Sequence, residues 1–142
     1  MVYSETHKFV ALLNKNLEVG KALNAVAHCC AGLTSTVPEE LHEKMSFIDF
    51  TDKDGVVHKN ISGLSLIVLR GSNNELKKAR AKFIENGIYF NDFTETMTGD
   101  TYKEQLIKTA EVTGEQMEYY CVAAFGEKAS IDPITKRFSL WR

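Results

Sequence analysis

Lys21, Asn24 and His28 lie on one turn-spaced stripe where a helical pattern opens at Gly20-Lys21. At ~100° per residue they fall within about a 60° wedge of the helical wheel. They follow a short apolar run, Phe9 to Leu13, and a break at Asn14–Leu17. Strand, loop and helix start in that order make an anion site, because the first backbone N–H groups of a helix lack internal partners. Lys21 adds to this: the helix dipole disfavours a cation in the first turn, so a bound anion or a carboxylate from another segment is needed to account for it. Small residues between the polar ones leave room for a ligand or a second chain. The plain alternative is the solvated face of an amphipathic helix, since the wedge lies opposite Leu23, Val26 and Cys30.

A second group, Asn91-Asp92-Phe93-Thr94-Glu95-Thr96, ends an apolar run. Ligands in α/β sheets gather beyond the carboxyl ends of strands. Asp92 can there present a base, and Thr94 and Thr96 hydroxyl donors. The competing reading is an N-cap cluster before a helix, for which Asp and Thr are preferred. His7 and His58 have no partner at metal-ligand spacing, and His42 sits on a polar helix. Cys29 and Cys30 read as small core residues rather than nucleophiles. Gly71-Ser72 precedes a helix but is a weak phosphate signal, and no GxSxG, Walker A or HExxH motif occurs.

These residues need elements to position them. HKFVALL at 7–13 reads as a strand buried on both sides. Residues 20–33 read as a helix whose core face is Leu23, Val26, Ala27, Cys30 and Leu33. Pro38 starts a short helix ending near Met45. SFIDF at 46–50 and VVHKN at 56–60 form a hairpin around TDKDG. GLSLIVLR at 63–70 is an apolar strand, and Ser72 caps a helix that Gly87 ends, with Leu76, Ala79 and Phe83 inward. IYFNDF at 88–93 and MEYYCVAAF at 117–125 are further strands, with a polar helix or long loop over 100–113 between them. Asp132-Pro133 marks a turn before a closing segment, RFSLWR. The alternation predicts an α/β fold: a mixed sheet of four to six strands with helices on both faces.

The chain of 142 residues is expected to be a single domain spanning 1–142. Its apolar share of 44% and charged share of 25% are those of a soluble globular protein. A net charge of −2 lacks the basic excess of most nucleic-acid binders. Cys29, Cys30 and Cys121 show no CxxC spacing, so neither a zinc site nor a disulfide framework is expected, and reduced thiols point to the cytoplasm. No run approaches transmembrane length, and no metal or organic cofactor is expected.

The stretches GKALNAVAHCCAGL at 20–33, NDFTETM at 91–97 and DPITKRFSLWR at 132–142 resemble a family termed domain of unknown function 2000. Its fold is similar to that of type-II peptidyl-tRNA hydrolases, and the likeness covers nearly the whole chain. In those hydrolases a Gly-Lys pair opens the first helix and a His follows seven residues after the Lys; Gly20, Lys21 and His28 match. An Asp followed four residues later by a Thr matches Asp92 and Thr96. The resemblance therefore implies that Lys21, His28 and Asp92 share one cleft. Departures are present: Val19 replaces an earlier lysine, Ala25 a glutamine and Thr94 a glycine, while Asn24 belongs to the uncharacterised family's own pattern.

The activity so implied is hydrolysis of a carboxylic ester such as peptidyl-tRNA. Asp92 would deprotonate water, directly or through His28, whose ordinary pKa of ~6.5 suits the task. Lys21 and the N–H groups at the helix start would hold the oxyanion, and Asn24 and Thr96 would position carbonyl or water. Gly20 and Thr94 would contact substrate. The alternative on the same scaffold is a non-catalytic protein that holds a small anion at Lys21, Asn24 and His28, or uses that face in a homodimer. Partners are accordingly tRNA or a small anionic ligand, and no membrane. A basic path running into the Lys21 cleft favours RNA; cations scattered over several faces favour the small ligand. EYYCVAAF and Leu140-Trp141 can pair across a two-fold axis or, as is usual for strands this apolar, fill the core.

Overall fold

The computed structural model describes residues 3–142. Strand β1 (His7–Asn14) leads into helix α1 (Val19–Thr36), a 3-10 helix (Glu39–Met45), and strands β2 (Phe47–Thr51), β3 (Val57–Ser62) and β4 (Leu66–Gly71). Helix α2 (Asn73–Glu85), strand β5 (Tyr89–Thr94), a 3-10 turn (Glu95–Met97) and helix α3 (Tyr102–Ala110) follow. Strand β6 (Tyr119–Glu127), helix α4 (Lys128–Thr135) and the short strand β7 (Ser139–Leu140) complete it.

The main sheet has five strands in the order β5-β6-β1-β4-β7. β1 and β4 run parallel, and the other pairings are antiparallel. The fold is thus α/β with a mixed sheet and helices on both faces. β2 and β3 form a separate antiparallel hairpin outside that sheet. Its turn needs the left-handed region at Gly55 (φ 82°), where a side chain would be strained.

Strand alternation divides the core in two. On one face Phe9, Ala11, Leu13, Phe93, Cys121, Ala123 and Phe125 pack under α1. On the other, Val10, Leu12, Val122 and Ala124 meet Leu76, Ala79 and Phe83 of α2 and Ile131 of α4. β1 carries both sets, so Val10, Ala11 and Leu12 are all at most 1% exposed, as a strand covered on two sides requires.

Helix α1 differs from its expected packing. Its buried residues are Ala22, Ala25, Cys29 and Leu33, while Leu23 is 63% exposed. The buried stripe is turned by roughly 90° from the Leu23–Val26–Ala27–Cys30 face. The reason is size: a stripe of small side chains lets the helix lie close on β5 and β6, where Cys121 and Ala123 are small as well. Hydrophobic weight alone selects the bulky face and misses this.

Asp132-Pro133 is also not a turn. Both residues lie inside α4, whose Ile131 and Thr135 are buried. Ile131 reaches over Gly126, where an added Cβ would sit 3.6 Å from its Cδ1. That docking carries the short helix through the proline. β6 lies between β5 and β1, so the apolar run it contains is core and offers no free edge.

Candidate functional site

The break after β1 is shaped by Asn14, which is 1% exposed. Its amide donates to the Tyr119 carbonyl at 3.0 Å, and its Oδ1 accepts from the Asn16 N–H at 3.0 Å. This Asx turn sends the chain sharply out of the sheet and into α1.

The first turn of α1 is left without caps. Glu18 occupies the N-cap position but makes no side-chain capping bond, and no acidic residue lies in the first turn. The N–H groups of Val19, Gly20 and Lys21 have no partner among the described residues. Helices α2 and α3 differ: each has a complete capping box, Ser72 with Glu75 and Thr101 with Glu104. The start of α1 therefore retains its positive potential.

A cavity of about 180 Å³ opens beside this end, lined by Gly20, Lys21, Asn24, Phe93, Thr98 and Tyr120. Phe93 and Tyr120 come from β5 and β6, and their rings lie 6.4 Å apart. Thr98 follows the 3-10 turn, and its hydroxyl donates to the Glu95 carbonyl at 2.8 Å. The side chains of Lys21 and Asn24 and the Tyr120 phenol have no hydrogen-bond or ion-pair partner among the described residues. Tyr120 is 8% exposed. Burial raises its pKa, and Glu118 and Glu95 push the same way, so the phenol stays a donor near neutral pH. The cavity thus offers backbone N–H, ammonium, amide and phenol donors beside an apolar floor.

Each candidate residue has a defined place. Gly20, Lys21 and Asn24 line the cavity. His28 does not; it stacks on Phe93 with ring centroids 5.2 Å apart and planes at 18°. Lys21, Asn24 and His28 each precede a buried residue of α1 (Ala22, Ala25 and Cys29), so they border the packed face instead of standing opposite it. Thr94 and Thr96 are buried and bonded to each other at 2.8 Å, and the Thr109 hydroxyl donates to Thr96 at 2.9 Å. They fasten α3 to the end of β5. Thr98 and Tyr120 carry no sequence signal of a site: Phe93 lies within the second group and alternation aims it toward α1, but Tyr120 reaches the same side only through the irregularity in the β5–β6 pairing at Phe93/Thr94.

Asp92 is the principal correction. It lies on the α2 face of the sheet, with its Oδ2 accepting from Arg80 Nε at 2.6 Å. The guanidinium also lies 5.4 Å from the Phe90 ring and 5.5 Å from the Tyr119 ring. Neighbouring strand residues point to opposite faces. With Phe93 under α1, Asp92 must face away from Lys21 and His28, and the sheet separates them. The expected one-cleft arrangement of Lys21, His28 and Asp92 does not form.

His42 and the cysteines are accounted for structurally. His42 Nε2 lies 3.0 Å from the Thr34 carbonyl and 2.9 Å from that of Val37, closing the end of α1. Cys29 and Cys121 are buried, Cys30 is partly buried, and all three are free thiols. Among the described residues no cluster of His, Cys, Asp and Glu is placed to hold a metal, and no helix is long and apolar enough to cross a membrane.

The chain folds as an α/β domain with a mixed sheet, and the uncapped start of α1 borders an aromatic-floored cavity. Residues 7–142 match the family described as "Protein of unknown function (DUF2000)", and the chain belongs to that family. Among solved structures it is similar to a protein of unknown function from Agrobacterium tumefaciens, with a TM-score of 0.80 at 20% identity over 96% of this chain and 98% of the other. That likeness is one of fold. No curated protein matches the chain.

Proposed function

We propose that this protein binds a small carboxylate-bearing ligand in the cavity at the start of α1, without acting on it chemically. The anion would sit against the N–H groups of Val19, Gly20 and Lys21, with the Lys21 ammonium, the Asn24 amide and the Tyr120 phenol completing the donor set. The short apolar portion of the ligand would rest on Phe93. The observation that carries this reading is the set of unpartnered donors facing one cavity, with no acid in the first turn of α1.

Ester hydrolysis on peptidyl-tRNA is the weaker reading. No carboxylate lines the cavity, and Asp92 is held by Arg80 across the sheet. Among the described residues His28 has no hydrogen-bonding partner to orient it as a base. Lys8, Lys77, Arg80, Lys82 and Lys108 are each paired with an acid, on several faces, and form no path into the Lys21 cavity.

The test is titration with N-acetylglycine, followed by the backbone amide resonances. Saturable shifts at Val19–Lys21 and Tyr120, weakened about tenfold by Lys21→Ala, are expected for the loss of one charge-assisted contact. Absence of saturable shifts refutes the reading. Release of free tRNA from an N-acetylated aminoacyl-tRNA by the wild type, and not by Lys21→Ala, would replace it with the hydrolase.

A further inference from the structure

β1 and β4 are adjacent and parallel, and the helices that follow them leave for opposite faces of the sheet. A crevice forms at such a divergence, beyond the carboxyl ends of the two strands, and it is where open α/β sheets bind ligands. Here the crevice is a cavity of about 270 Å³. It shares no lining residue with the cavity above α1.

We propose that this crevice is a second binding site, specific for a small phosphomonoester held by Lys15, Arg70 and Arg137. The three cations come from separate segments: the loop after β1, the end of β4, and the strap before β7. None of their side chains makes an ion pair or hydrogen bond among the described residues, although Lys15 is near enough to Glu75 to help lower its carboxyl pKa. The single acid in the lining is Glu75. Its carboxylate is committed to the Ser72 N–H at 2.9 Å within the capping box of α2.

Three cations against one carboxylate leave the lining with a formal charge of +2. A phosphomonoester carries about −1.5 to −2 at neutral pH. Two guanidinium groups offer planar donor forks that match phosphate oxygens, and Lys15 adds a point charge. The cavity exceeds the size of the phosphate itself, so it admits a small organic group as well.

The cations are also held in place by structure. The Lys15 N–H donates to the Gly71 carbonyl at 2.9 Å, tying the loop to the end of β4. Asn14, buried, fixes the Lys15-Asn16 corner through its two hydrogen bonds. On the other side Phe138 packs directly on Gly71, where a Cβ would come within 2.5 Å of its ring. That contact fixes the backbone beside Arg137. Ser139 pairs with Arg70 across β4 and β7. Like charges brought together on three anchored segments repel one another, and a bound dianion relieves that repulsion.

The experiment is an amide-resonance titration of the full chain at low ionic strength. The probes are inorganic phosphate and methyl phosphate, with sodium chloride as the ionic-strength control. Saturable shifts are expected at Lys15–Leu17, Arg70–Ser72 and Ser139, with methyl phosphate bound at least as tightly as phosphate. Arg70→Gln and Arg137→Gln should each weaken binding about tenfold, and Lys103→Gln on α3 should leave it unchanged. All these side chains are exposed and without ion-pair or hydrogen-bond partners among the described residues, so circular dichroism should find every variant folded. Shifts equalled by chloride, shifts confined to Val19–Lys21, exclusion of methyl phosphate, or binding indifferent to Arg70→Gln and Arg137→Gln would each overturn the proposal.

Discussion

Replacing Asp92 separates its role in the sheet from the catalytic role that the hydrolase resemblance implies. Asp92 and Arg80 meet at 2.6 Å with side chains 17% and 33% exposed. The pair lies between a solvent-exposed ion pair, worth ~0.2–1 kcal/mol, and a buried one, whose rupture costs ~3–5 kcal/mol. Loss of the carboxylate does not leave the guanidinium wholly uncompensated, because the Phe90 and Tyr119 rings still face it. Asp92→Ala is therefore expected to cost about 2 kcal/mol. Asp92→Asn keeps shape and one acceptor and should cost about 1 kcal/mol. For a chain of this length each kcal/mol lowers Tm by about 3 °C.

Urea denaturation of wild type, Asp92→Asn, Arg80→Met and the double variant gives the coupling, expected at about 1–2 kcal/mol for groups in direct contact. N-acetylglycine binding at the α1 cavity should be unchanged in Asp92→Asn, because the sheet stands between the two sites. The reasoning fails if Asp92→Asn keeps wild-type stability while abolishing ligand binding or an esterase activity. That outcome would mean Asp92 reaches the cavity in solution and leaves Arg80 to do so.

Three further outcomes follow from local geometry. Ser72→Ala removes the oxygen that accepts the Glu75 N–H at 3.1 Å and should cost ~1 kcal/mol in chemical denaturation. Gly71→Ala sets a Cβ within 2.5 Å and 2.8 Å of two ring carbons of Phe138; ~1–3 kcal/mol of destabilisation is expected, and the Phe138 and Ser139 amide resonances should move most. Burial lowers the pKa of His7 from its ordinary 6.5; Glu127 opposes this and Lys44 adds to it. The folded protein then holds the proton less tightly than the unfolded chain. The stabilisation is full above about pH 6.5 and is lost as pH falls through the lower folded pKa. His7→Gln should flatten that portion of the stability–pH curve.

Much of the architecture was legible in the sequence because its signals are local. The apolar run of β1, the Ser72 cap and Gly87 stop of α2, and the hairpin around Gly55 appear where propensity and turn chemistry put them. The start of α1 could be singled out from the sequence because loop, glycine and lysine adjoin in the chain. The cavity beside it could not, since Phe93, Thr98 and Tyr120 come from distant segments and are ordinary core or loop residues by type.

Composition and periodicity determined that this chain makes a mixed α/β sheet with a lysine-bearing helix start after its first strand, and the structure added that this start carries no side-chain cap. Tertiary structure alone decided which side of α1 packs, because close approach to Cys121 and Ala123 rewards small side chains over greasy ones. It also decided that Asp92 belongs to Arg80 and not to Lys21. Strand alternation assigns faces only once one neighbour is anchored, and it is Phe93, buried under α1, that anchors the register. The meeting of Lys15, Arg70 and Arg137 likewise rests on β1 lying parallel to β4, a long-range pairing that no local pattern encodes.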